Sequence, residues 1–189
     1  MHALEQMHLS TKSVIIFAGS GKAQEALVTA HCHPDIRGIH CIEVHEINTN
    51  SARIALQRYT TPPLVPITFE TASILTWNPA TLTNRFPADT TYHLYSICTD
   101  PDVYPVLFQW HWDIPLTTLS MWDRMWECIP PDSPHRPIRY HGTTIPTHLC
   151  TSNEKNQLIT WGYHTPPLPP PPPPTGTAHQ PPLPRSGEG

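Results

Sequence analysis

Ser13-Val14-Ile15-Ile16-Phe17-Ala18-Gly19-Ser20-Gly21-Lys22-Ala23-Gln24 reads as an apolar strand that runs through a turn of small residues into a helix. Four apolar residues in a row, Val14 to Phe17, fit a strand covered on both faces of a parallel sheet. Ala18 to Gly21 then supply a turn in which the backbone can pass close to a ligand, because glycine has no Cβ and adopts positive φ freely. Helix amides that lack an intrahelical partner point out of such a turn.

Working outward, Ala23, Leu27 and Ala30 recur at helical spacing, with Ala26 and Val28 widening the apolar face, and predict a helix over 22–31. Pro34 and Gly38 end it. Ile39 to Val44 is a second strand carrying an acid near its end, Glu43, which is placed to accept hydrogen bonds from the two hydroxyls of a ribose. Asn48 to Ser51 offer N-caps for a helix through Ala52 and Tyr59. Ile67 to Leu75 reads as strand three, Pro79 to Phe86 as a short helix, and Tyr92 to Cys98 as strand four. Asp102 to Trp112 predicts a helix with Pro105 in its first turn, where the missing N–H costs little. Leu116 to Trp122 is strand five, and Leu158 to Tyr163 a final edge strand.

Alternating strands and helices call for an α/β fold, a mainly parallel sheet with helices on both faces. The domain is expected over 13–164, after a polar lead-in at 1–12. Residues 165–189 read as a proline-rich disordered tail, with six consecutive prolines from Pro169 to Pro174. Such a run is a ligand for aromatic-lined grooves of the SH3, WW or profilin-like kind.

The net charge of −4 sets up no basic field for nucleic acid. Five cysteines, odd in number and without a CxxC pair, fit reduced thiols better than a disulfide framework. No apolar run approaches a membrane span and the first twelve residues lack the apolar core of a signal peptide, so an intracellular protein, cytoplasmic or nuclear, is expected.

Competing chemistries fail on spacing. A phosphate-binding P-loop ending at Gly21-Lys22 would need glycine at Ile16 and Ser or Thr at Ala23. His31, His33, His40, Cys41 and His45 cluster in sequence, but strand alternation sends His40 and Cys41 to opposite faces, so no metal site is expected. Cys98 has no partner base on its own face. A Rossmann-type oxidoreductase would want a third glycine where Gln24 stands.

With these elements in place, the chain resembles a divergent class I S-adenosylmethionine-dependent methyltransferase, Rossmann-like in fold, over about residues 13–125. Gly19-Ser20-Gly21 matches that family's glycine turn and Glu43 its ribose acid. The resemblance implies S-adenosylmethionine as cofactor, bound by Phe17, Ala18, Gly19, Ser20, Gly21, Glu43 and Val44. The family's fourth strand ends in a polar motif at the methyl-transfer site, and Ser96-Ile97-Cys98-Thr99-Asp100 occupies that place, so Ser96, Thr99 and Asp100 would line the acceptor side. Asp100 and Asp102 also suit the cap of the helix that follows.

The turn Gly19-Ser20-Gly21-Lys22-Ala23-Gln24 is similar to that of the disruptor-of-silencing type of histone lysine methyltransferase, which points to a protein substrate. Three departures accompany the match. Phe17 stands where the family has an acid, Ala23 where a third glycine is frequent, and no acid lies near Ala72 and Ser73. They leave open a non-catalytic scaffold that recruits partners through the polyproline tail.

Overall fold

A computed structural model describes residues 7–96, 100–114, 116–122, 145–146 and 157–162. The strands are β1 (Ser13–Ala18), β2 (Gly38–Glu43), β3 (Ile67–Thr71), β4 (Thr91–Ser96), β5 (Leu116–Trp122), β6 (Ile145–Pro146) and β7 (Gln157–Gly162). Helices α1 (Gln24–Cys32), α2 (Glu46–Gln57), α3 (Ala80–Thr83) and α4 (Val103–Asp113) alternate with the first five strands. The sheet order is β3-β2-β1-β4-β5-β7-β6. Neighbouring strands among the first five pair in parallel, whereas β7 runs antiparallel to both β5 and β6.

This order has a functional consequence. From β1 the chain winds outward to β2 and β3, then returns to β4 on the other side of β1. Ligands of open α/β sheets bind at such a switch point, in the crevice beyond the carboxyl ends of the strands. Here it lies between the ends of β1 and β4, where Phe17 pairs with Tyr95.

Register and alternation divide the central strands into two faces. Ile15, Phe17, Cys41, Glu43, His93 and Tyr95 share one. Val14, Ile16, His40, Ile42, Tyr92 and Leu94 share the other. The segment after β3 and helix α4 cover that second face, for Trp77 stacks on His40 at 5.3 Å and meets Trp110 of α4 at 5.0 Å. All of β1 and β2 is buried, which is why their sequences are almost continuously apolar. Met7 is fully buried as well, so the segment read as a polar lead-in contributes to the core.

Several boundaries, and one edge assignment, differ from the sequence reading. Helix α1 begins at Gln24, because Gly21 and Ala23 hold φ of +55° and +57° and keep the chain out of the helix until then. Helix α2 begins at Glu46, so Asn48 to Ser51 lie inside it and cap nothing. The Thr49 and Ser51 hydroxyls turn back to the carbonyls of His45 and Ile47 instead. Strand β3 stops at Thr71, since Thr76 and Trp77 amides bond to Ser73 and wind the chain into a turn. Finally β7 is not the edge of the sheet, because β6 pairs on its far side.

Candidate functional site

The site is assembled where β1 ends. Gly19 and Ser20 both donate their amides to the Ile42 carbonyl, at 2.9 and 3.0 Å, which lays the turn against the end of β2. Gly19 has φ of +73° and Gly21 of +55°, the left-handed region in which an L side chain is strained. Ala23 holds φ of +57° with its methyl buried, so the third position of the turn takes the conformation a glycine prefers without being one. The Ala23 amide bonds to the Ser20 carbonyl at 2.8 Å, and no side chain caps α1.

Glu43 ties the two strand ends together. Its Oε2 accepts the Gly21 amide at 2.8 Å and its Oε1 the His45 amide at 2.9 Å. Glu43 is 6% exposed, and each carboxylate oxygen has a second lone pair beyond the bond it already accepts. Val44 follows directly and is 56% exposed, an apolar surface beside the acid. Opposite, the Ala72 amide donates to the Glu43 carbonyl at 3.0 Å, which keeps the end of β3 level with the site.

Beside the turn lies a shallow recess lined by Phe17, Ala18, Gly19, Ser20, Glu25 and Tyr95. Its enclosed space is about 10 Å³, room for about one water. Phe17 and Tyr95 rings form a tilted pair 5.1 Å apart. Burial pushes the Tyr95 phenol up to about 12, with the Glu25 carboxylate adding in the same direction, so it stays a neutral O–H. Cys41, below the turn, is also pushed up to about 12 by burial, against a weaker opposing hydrogen bond to Ser20, and is no nucleophile near neutrality.

The residues expected on the acceptor side are placed differently. Ser96 is fully buried and donates its hydroxyl to the Ala18 carbonyl at 3.0 Å, fastening the end of β4 to that of β1. Asp100 lies before α4, where its Oδ1 accepts the Asp102 amide at 3.0 Å. Thr99 falls outside the described residues, as does the proline run from Pro169 to Pro174. Thus Phe17, Ala18, Gly19, Ser20, Gly21 and Glu43 converge with Val44 at one end of the sheet. The sequence reads Tyr95 as core or groove lining and gives Glu25 no role. The parallel register of β1 with β4, which puts Tyr95 opposite Phe17, was the signal that could have found the first.

Among the described residues no three or more His, Cys, Asp or Glu side chains are grouped to hold a metal ion, and no helix is long and apolar enough to cross a membrane.

Solved structures of the same shape exist. An rRNA methylase from Streptococcus thermophilus superposes with a TM-score of 0.55 at 10% identity, over 86% of this chain and 93% of its own. TrmK of M. capricolum, solved with S-adenosyl-homocysteine, gives 0.57 at 10% identity, over 86% and 67%. SMU.1697c from Streptococcus mutans, also solved with that compound, gives 0.53 at 12%, over 85% and 93%. This is the class I methyltransferase fold. The methyltransferase-fold chain spans half or less of the length of two other matching structures, 50% of one and 42% of the other. No protein-family model matches it, and no curated protein matches it in sequence.

Proposed function

We propose that the chain is a methyltransferase that uses S-adenosylmethionine. A fold alone does not settle an activity, so the reading leans on the site. Its support is Glu43, a buried acid at the end of β2 bonded to the glycine turn after β1. The lone pairs left on its two oxygens suit a vicinal diol, and the exposed Val44 beside it suits the flat face of a base. Gly19 and Gly21 carry no Cβ, which lets a ligand lie against the turn.

When bound, S-adenosylmethionine would supply an electrophilic methyl group on a positively charged sulfur for transfer to a nucleophilic acceptor. The chain's own task is to position two reactants in line and exclude water. Phe17 and Tyr95 wall off the switch-point crevice, and Ser96 holds β4 against β1 so that the crevice keeps its width. Thr99 and Asp100, beyond β4, are assigned to the acceptor side.

For the acceptor we favour a protein side chain, on the likeness of the glycine turn to a histone lysine methyltransferase and on the negative net charge. One structural neighbour acts on rRNA, so RNA belongs in the same screen. Phe17 in place of an acid favours a second reading, a scaffold that keeps the fold and works through its polyproline tail as a ligand of SH3, WW or profilin-like grooves.

Calorimetric titration with S-adenosylmethionine and S-adenosylhomocysteine separates the two. Micromolar binding by the wild type supports the methyltransferase. Absence of heat and of any thermal shift at millimolar ligand overturns it and leaves the scaffold.

A further inference from the structure

β3 stands at one end of the sheet order, so its backbone pairs on one side only. The Pro66 carbonyl accepts the Ile39 amide and the Ala72 amide donates to the Glu43 carbonyl, both across to β2. With the parallel register of Ile39 to Ile67, Thr68 and Glu70 are the residues between that bond to β2, and Ile67, Phe69 and Thr71 turn their N–H and C=O groups outward. Among the described residues, the Phe69 carbonyl is the one of these outward groups with a partner. Arg53 of α2 donates Nη2 to it at 3.0 Å, and donates Nη1 to Asn50 Oδ1 at 3.0 Å, one helical turn earlier, which fixes the guanidinium.

A row of outward groups is a template for another extended backbone. This row matches itself. Turned antiparallel about Phe69, a second β3 sets Ile67 against Thr71 and Phe69 against Phe69, and residues so opposed exchange both of their N–H···O=C bonds. The central pair needs the Phe69 carbonyl of each copy, the acceptor that Arg53 holds. Two Arg53 guanidiniums would also meet near the shared axis, where like charges repel.

We propose that the outer edge of β3 is a pairing surface for a second copy of this chain, and that Arg53 keeps it shut by occupying the Phe69 carbonyl. Ile67, Thr68, Phe69 and Thr71 all favour strands and no proline interrupts them, so protection of the edge falls to a side chain from outside the strand. The inference holds whether or not the chain transfers a methyl group. The same bond also docks α2 against β3, a role that would alter stability and not association.

Sedimentation equilibrium of the full chain, with circular dichroism to follow folding, tests this. The wild type is expected to be monomeric at micromolar concentration. Arg53→Met keeps the apolar stem and removes the donor, and should tighten self-association about a hundredfold, about tenfold for the bond no longer broken in each copy. Thr71→Pro removes an outward N–H that β2 does not use, so Arg53→Met with Thr71→Pro should be folded and monomeric again. Asn50→Ala releases Arg53 without removing it and should shift association the same way by less, which keeps the test open if Arg53→Met does not fold. An Arg53→Met protein that is less stable but no more associated, a dimer that Thr71→Pro leaves intact, or a wild type that already associates as tightly as the variants overturns the proposal.

Discussion

The Gly21 amide donates to Glu43 Oε2 at 2.8 Å, although 22 residues of chain separate them. The turn that follows β1 and the acid that ends β2 are therefore one unit, and the shape of the turn depends on the acid. A carboxylate assigned to a ligand thus also shapes the protein around it.

Replacing Glu43 should show the structural role. Glu43→Ala leaves the Gly21 and His45 amides without their acceptor and is expected to cost about 2–3 kcal/mol of stability. Glu43→Gln keeps one oxygen acceptor and should cost about 1–2 kcal/mol. Urea denaturation measures the difference. If the acid were a surface charge with no structural task, both variants would match the wild type.

Two glycines should respond to alanine for different reasons. At Gly21 a Cβ would meet nothing within 4 Å, so the whole penalty of Gly21→Ala is its φ of +55°, about 1–2 kcal/mol. At Gly38 a Cβ would lie 3.2 Å from the Phe86 ring, so Gly38→Ala should cost about 1–3 kcal/mol through overpacking. Adding Phe86→Leu should recover part of the Gly38 penalty and none of the Gly21 penalty. Equal coupling at both positions would contradict this division.

Acid should weaken the fold through two buried histidines. Burial lowers His40 from 6.5 to about 4, opposed by Glu70 and helped by Arg85, and lowers His93 to about 4, helped by His8. Each folded-state value lies below the unfolded one, so the unfolded chain takes up protons first. Stability is complete above about pH 6.5 and falls as the pH drops toward about 4, by roughly 3 kcal/mol for each histidine at most. His93 bonds to Ser13 and Thr118 through its two nitrogens, and His93→Gln retains the capacity for such bonds. That variant should lose less stability across the window than the wild type, as followed by denaturant midpoints.

Thiol reactivity should sort by environment. Cys32 is exposed, whereas Cys41 is buried with its thiol pushed up to about 12. Alkylation of the native protein near pH 8, read by peptide mass spectrometry, should label Cys32 well before Cys41. Comparable rates would mean that the end of β2 opens readily.

The elements most legible in the sequence were those whose burial is uniform. Val14 to Phe17 and Ile39 to Ile42 are covered on both faces, so the first, wholly apolar, and the second, apolar but for His40, read as strands. Helix α2 misled because Asn48, Thr49 and Ser51 are common caps, and what places its start is the Glu43 carboxylate receiving the His45 amide. Ser96 was read as a site residue from its place at the end of β4, but only register shows that its hydroxyl bonds to β1.

The sequence by itself determined the alternation of strands and helices, the glycine turn and the acid that follows it, because each is written in local composition and spacing. Tertiary structure alone decided what these residues meet. Parallel pairing of β1 with β4 brings Tyr95 to Phe17, and the left-handed turn at Gly21 and Ala23 sets where α1 begins and so brings Glu25 to the same recess. Contacts between residues about 80 positions apart follow from strand order and register. Those are set by how the whole sheet buries its two faces, which no local stretch of sequence encodes.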